Sequence, residues 1–159
     1  MKTLFLVRHA DAENQTTNDR ERALSCAGMT QASNVGQAVA QLGDIDYLAS
    51  SVAVRTQQTA RQIIIALEKE PAYACCDPIR SGSDDDIIAM IREFPDWAHT
   101  AMVVGHNPTI SMVAARLCEN TAIGGFSPSR CLRLIYEIEN WTQLVERTGL
   151  MTHDIDGNA

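Results

Sequence analysis

Residues 4–7, Leu4-Phe5-Leu6-Val7, are apolar at every position, and the run stops at Arg8-His9. A strand that faces one core alternates apolar and polar side chains. One that is apolar throughout is buried on both faces. A chain that opens this way needs helices on both sides of a sheet, and the pattern that follows supplies them. After Gly28, the spacing of Met29, Ala32, Val35, Val39 and Leu42 predicts a helix that Gly43 ends. Residues 47–50 read as a second strand and 51–53 as a turn. Thr56, Ala60, Ile63, Ile64 and Leu67 give a helix over 55–67 its apolar stripe. Residues 73–76 form a weaker third strand. Ile87, Ile88 and Ile91 mark the inner face of a helix over 84–94, stopped by Pro95. Residues 100–104 are a fourth strand. Asn107 is placed as a cap and Pro108 as the first position of a helix running to Leu117. Residues 131–138 partly alternate, as a sheet-edge strand does. Residues 11–25 show no period and read as a loop. The pattern weakens after Asn140, and the tail beyond about 150 is expected to be mobile. Strands alternating with helices predict an α/β fold: a three-layer α/β/α sandwich with a central parallel-rich sheet and a C-terminal edge strand. A single domain over 1–159 is expected.

The chain carries a formal net charge of -7 and a sequence pI of about 5.0. Non-specific binders of nucleic acid or anionic membranes are basic, so neither partner is expected. The first residues superficially resemble a signal peptide, but the apolar run ends at Arg8 and no small-residue cleavage site follows. No stretch reaches the roughly 18 apolar residues that span a bilayer. The 5 cysteines are an odd count with no CxxC pair and no Cys/His metal spacing. They are expected as reduced, mostly buried thiols in a cytoplasmic protein.

In open parallel sheets, ligands bind beyond the carboxyl ends of the strands. The chemistry-bearing residues fall there. Arg8 and His9 follow the first strand, Arg55 opens the helix after the second, and His106 lies just past the fourth. Arg22 belongs to the intervening loop. Two imidazoles and three guanidiniums suit a dianionic phosphoryl group. Guanidinium forks match its oxygens and stay charged. The helix starts after Ser51 and at Pro108 add backbone N–H donors. Neutral imidazole is a competent nucleophile toward phosphorus. Nearby arginines lower a histidine pKa, which keeps a lone pair free at neutral pH. One histidine can then attack while the other donates hydrogen bonds to the developing charge.

Leu6-Val7-Arg8-His9-Ala10 resembles the LxRHG or LxRHA signature of the histidine phosphatase (phosphoglycerate mutase-like) superfamily. The stretch from Arg22 through Ala23, Leu24 and Ser25 to Gly28 is similar to the RPLTxxG element of its short SixA-type branch. Residues 50–60, Ser50-Ser51 through Arg55 to Gln58-Thr59-Ala60, resemble its SSPxxRAxQTA block. Val103-Val104-Gly105-His106-Asn107-Pro108 resembles its VGHNP block. The four motifs occur in the family's order over residues 3–118. The resemblance implies that His9 is the phosphorylated nucleophile. It implies that Arg8, Arg22, Arg55 and His106 bind the phosphoryl group, with no metal or organic cofactor.

Proline is absent at Val52 and at Ala23, which removes no functional group. The general acid has no clear match. Many members of the superfamily carry a carboxylate after the third strand, here residues 77–86. Asp84 there, Asp11 beyond the nucleophile and Asp19 in the following loop are the candidates, and Asp84 to Asp86 read more readily as a helix start than as a catalytic group. Glu13 is placed either against a pocket arginine or in an exposed loop. The expected activity is hydrolysis of a phosphoryl group through a phosphohistidine on His9. The favoured substrate is a phosphohistidine on a protein, because its leaving nitrogen needs little acid help. A phosphatase of small phosphomonoesters is the alternative. A catalytically silent phosphate-binding module is a further one.

Overall fold

The computed structural model describes residues 1–14 and 18–158. Six strands form one sheet in the order β3-β2-β4-β1-β5-β6. They are β1 (Lys2–Arg8), β2 (Tyr47–Ser50), β3 (Ala72–Cys75), β4 (Thr100–Gly105), β5 (Cys131–Tyr136) and β6 (Leu150–Ile155). The pairs β1–β4, β2–β4 and β2–β3 are parallel, whereas β1–β5 and β5–β6 are antiparallel. Among the described residues five α-helices accompany them: α1 (Cys26–Ala40), α2 (Val54–Ala66), α3 (Asp77–Ser81), α4 (Asp84–Arg92) and α5 (Thr109–Leu117).

The uninterrupted apolar run of β1 is explained by its two covered faces. Leu4 and Leu6 pack with Val103 against Ile87, Ile88 and Ile91 of α4 and Ile110 and Val113 of α5. Phe5 and Val7 pack with Met102 and Val104 against Val35 and Val39 of α1 and Ile63 of α2. The result is three layers, as the sequence pattern predicts. No helix among the described residues is long and apolar enough to cross a membrane.

Four local expectations need correction. The strand at Cys131–Tyr136 is not the edge: β6 (Leu150–Ile155) pairs with its outer side and is the C-terminal edge strand, in the segment where a mobile tail is expected from the sequence. The alternation in β6 is blurred because only one neighbour covers it and Thr152, His153 and Asp154 sit among its apolar residues. Helix α3 was not foreseen, since five residues opened by Asp77-Pro78 carry no period. Pro108 precedes α5 as its cap instead of forming its first turn, and Asn107 caps no backbone N–H: its Nδ2 donates to the Phe126 carbonyl (2.7 Å) and its Oδ1 accepts from the Ser111 hydroxyl (2.5 Å). Of the cysteines, Cys118 and Cys131 are buried, but Cys26 and Cys75 are exposed.

Candidate active site

The parallel register of β1 and β4 places Arg8 opposite Gly105. The His9 N–H then donates to the Gly105 carbonyl (3.0 Å), so His9 and His106 leave adjacent strands side by side. Their ring centroids lie 5.4 Å apart, tilted by 58°. The His9 ring is buried, with Nδ1 2.7 Å from the Ala10 carbonyl oxygen. A carbonyl only accepts, so Nδ1 carries the proton and the lone pair is on Nε2. Burial is the main reason the His9 pKa falls to about 4. The Ala10 carbonyl opposes the shift, and Arg55, Arg8 and Arg22 reinforce it. Burial also drives His106 down to about 3, helped by Arg55, His9 and Arg80 against Asp19. Both imidazoles are therefore neutral near pH 7. His106 Nε2 lies 2.6 Å from the Ser51 hydroxyl, while its Nδ1 is buried with no partner.

Four guanidiniums surround the pair. Arg55 stands in the first turn of α2 and is buried, with Nη1 on the Asp19 carbonyl (2.8 Å) and Nη2 on its carboxylate (3.1 Å). Arg8 donates from Nη1 to the Phe126 carbonyl (2.8 Å). Arg22 and Arg80 approach the Asp19 carboxylate at 3.7 Å each. Asp19, in a single 3-10 turn (Asp19–Glu21), thus supplies the anion on which three arginines converge. Burial would raise its pKa, but Arg55, Arg22 and Arg80 outweigh that and hold it below the usual carboxylate range.

Among the described residues, the buried side-chain polar atoms without a partner are Nε of Arg8, Arg22 and Arg55, Nδ1 of His106 and Oγ of Ser129. Ser129 is part of the same neighbourhood, since its N–H donates to the carbonyls of Arg8 and His9. Its backbone sits at φ 69, a left-handed conformation that costs a serine about 1–2 kcal/mol. Unsatisfied buried groups are rare, and the gathering of those on Arg8, Arg22, Arg55 and His106 points to a ligand that completes them, whereas the Ser129 hydroxyl lies against Gly157.

The remaining motif residues hold the loops that carry these groups. Thr59 Oγ1 accepts from the Ala10 N–H (3.1 Å) and donates to the Arg55 carbonyl (2.7 Å), tying the segment after His9 to α2. Gln58 Oε1 accepts from the Leu24 N–H (2.7 Å), which anchors the segment after Arg22. Ser25 caps α1 through the Gly28 N–H and donates to the Asp11 carboxylate (2.6 Å). The first turn of α1 is pressed so closely onto Asp11 that a Cβ at Gly28 would collide with the Asp11 carbonyl oxygen.

The sequence profile of the histidine phosphatase superfamily (branch 1) matches residues 4–74. A phosphohistidine phosphatase SixA homolog from Haemophilus influenzae is 26% identical over 144 residues, covering 84% of this chain and 88% of that protein. The solved structure of a putative phosphohistidine phosphatase SixA from Nakamurella multipartitia superposes with a TM-score of 0.85 at 25% identity, covering 97% of this chain and 95% of that one. The fold is also that of the protein histidine phosphatase SixA complexed with tungstate (TM-score 0.84, 17% identity, 98% and 97% covered). The chain is thus similar to the histidine phosphatase superfamily in sequence over residues 4–74 and to SixA structures in fold.

The structure gathers Arg8, His9, Arg22, Arg55, His106 and Asp19 and leaves two proposed acids outside. Asp11 is exposed and bound to Ser25 at the start of α1. Asp84 pairs with Arg116 (2.8 Å), near the C-terminal end of α5. That is about 10 Å along the axis from the end that follows His106. The hydrogen bond from Arg116 lowers the Asp84 pKa, and this carboxylate is held in an ion pair at the start of α4. Glu13 is exposed, with its backbone N–H on the Ala23 carbonyl. Two groups at the site escaped the sequence reading as functional candidates: Arg80 and Ser51. Arg80 had a signal, being a cation in the segment where a carboxylate was sought.

Proposed function

We propose that this chain is a phosphatase that removes the phosphoryl group from a phosphohistidine on a protein, with His9 as the nucleophile. The observation that carries this reading is the Nδ1–Ala10 hydrogen bond of His9 (2.7 Å). It fixes the proton away from Nε2 beside a set of guanidiniums with unmet donors. In the first step the Nε2 lone pair forms a bond to phosphorus. The P–N bond of the substrate breaks, and its electron pair returns to the leaving imidazole. In the second step water attacks phosphorus, the bond to Nε2 breaks, and the proton of the water leaves with phosphate or solvent. Arg8, Arg22 and Arg55 hold the equatorial oxygens, and a donor on His106 meets the charge that grows on them. Arg80 joins them once Asp19 gives way to the phosphoryl group.

The carboxylates support a phosphoramidate over an alkyl phosphate. An alkoxide leaving group needs a well-placed acid. Asp11 and Asp84 are engaged elsewhere, and Asp19 is held ionised by three arginines. A departing imidazole takes its proton from water near neutral pH.

The test is a single-turnover reaction with a phosphohistidine-bearing domain, set beside a panel of sugar and nucleotide phosphates. Acid-labile phosphate should appear on His9, with faster turnover of the phosphohistidine domain. Faster turnover of the phosphomonoesters would replace the substrate assignment. Full activity in His9→Ala would end the nucleophile assignment.

A further inference from the structure

The Ser51 hydroxyl is fully buried and sits among three groups: the Ala53 N–H (3.1 Å), Thr56 Oγ1 (2.7 Å) and His106 Nε2 (2.6 Å). His106 is neutral near pH 7, so it has one N–H to give, and its partners decide which nitrogen carries it. Two proton arrangements satisfy the distances. In the first, Thr56 donates to the Ala53 carbonyl (2.8 Å), Ser51 donates to Thr56, and Nε2–H donates to Ser51. Nδ1 then presents a lone pair. In the second, Thr56 donates to Ser51 and Ser51 donates to Nε2. The proton then sits on Nδ1, the nitrogen that meets no protein group. A phosphoryl oxygen repels a lone pair and accepts a proton, so a bound anion selects the second arrangement.

We infer that Ser51 is a positioning residue: with an anion bound, its hydroxyl donates to His106 Nε2 and holds the proton on Nδ1, where it faces a phosphoryl oxygen. This rests on the reading of His106 as a phosphoryl ligand. Thr56 stands where the SSPxxRAxQTA pattern has alanine, so its hydroxyl gives Ser51 a second acceptor that an alanine would not. Thr56 therefore competes with His106 for the Ser51 proton in the empty site. Replacing it by valine should leave Nε2 as the acceptor in reach.

Nitrogen-15 NMR of the His106 ring, with inorganic phosphate or tungstate bound, tests this directly. Wild type should show a protonated Nδ1 and a hydrogen-bonded lone pair on Nε2. Thr56→Val should keep that signature. Ser51→Ala should lose the hydrogen-bond shift of Nε2, and kcat should fall at least about tenfold with a smaller change in KM, as expected when a transition-state donor is loosened. Ser51→Thr, which keeps a hydroxyl, should recover part of kcat if it folds. A protonated Nε2 in the anion-bound wild type overturns the inference, and so does a Ser51→Ala kcat within twofold of wild type. Neither outcome touches the nucleophile: acid-labile phosphate would still form on His9. Its absence in wild type would sink the functional reading instead.

Discussion

Lys2 and Arg8 stand at opposite ends of β1. Lys2 is fully buried, and its ammonium donates to the carbonyls of Asp96 (2.7 Å) and Ala98 (3.0 Å) with the Trp141 ring 5.7 Å away. Trp141 Nε1 shares the Ala98 carbonyl (2.8 Å). That end of the sheet is a closed set of donors and acceptors. Arg8 makes one bond to Phe126 and leaves Nε unpaired. Around it lie the other orphaned atoms of Arg22, Arg55 and His106. The same strand thus ends in a completed polar cluster on one side and an uncompleted one on the other. A complete cluster adds stability. An incomplete one gives up stability and gains a place for an anion.

The widest separation between the two ends should come from His9. His9→Ala is expected to lower turnover by at least about 10³-fold while leaving the melting temperature near that of wild type. Steady-state rates beside a thermal melt give both numbers, and a collapse of stability would erase the contrast. Arg55→Ala comes next, weakening phosphate or vanadate binding on the order of 30-fold or more, because hydrogen bonds between ions are strong. Calorimetric titration checks it. Unchanged affinity would put this arginine outside the pocket.

At the other end, Lys2→Met should leave phosphate affinity alone and cost about 1–3 kcal/mol of stability, since the Asp96 carbonyl loses its donor. A fall in Tm of roughly 2–10 °C is expected. Asp19→Asn is a smaller change at the site. It removes the carboxylate that competes for Arg55, so phosphate should bind a few-fold tighter, an effect that fades with added salt.

Proton titration sharpens the same contrast. The folded pKa values of His9 and His106, about 4 and about 3, lie below the ordinary 6.5. The unfolded chain takes up protons first as pH falls. Their contribution to stability is full above about 6.5 and is lost as pH drops toward 4 and then 3. An NMR titration should find the His9 midpoint near 4. A midpoint at or above 6.5 would mean that burial and the arginines do not govern this ring.

Much of the site was legible because strand ends in a parallel sheet converge. Arg8, His9, Arg55 and His106 each follow a strand or open the helix after one, so topology alone brings them together. Arg22 came from motif spacing. Arg80 was not legible, since α3 is too short to show a period and Asp77-Pro78 reads as a turn. Ser51 acts through local hydrogen bonds, which leave no imprint on hydrophobic spacing. Asp84 stayed ambiguous because a carboxylate in the first turn of a helix looks the same whether it serves the helix dipole, an arginine or a substrate. The edge was misassigned for a related reason. β5 alternates partly because its faces differ in cover, and β6 has too few apolar residues to announce itself.

The pairing of Arg8 with Gly105 has one more consequence. It works as a ruler: the gap between the two imidazoles is copied from the pitch of two adjacent strands. A one-residue slip of β4 along β1 would carry His106 about 3.3 Å away and turn it to the opposite face. Lengthening or shortening either strand should therefore abolish the chemistry outright. The connections that follow those strands carry His9, Asp19, Arg22 and His106 themselves, so they are bound to the same pitch.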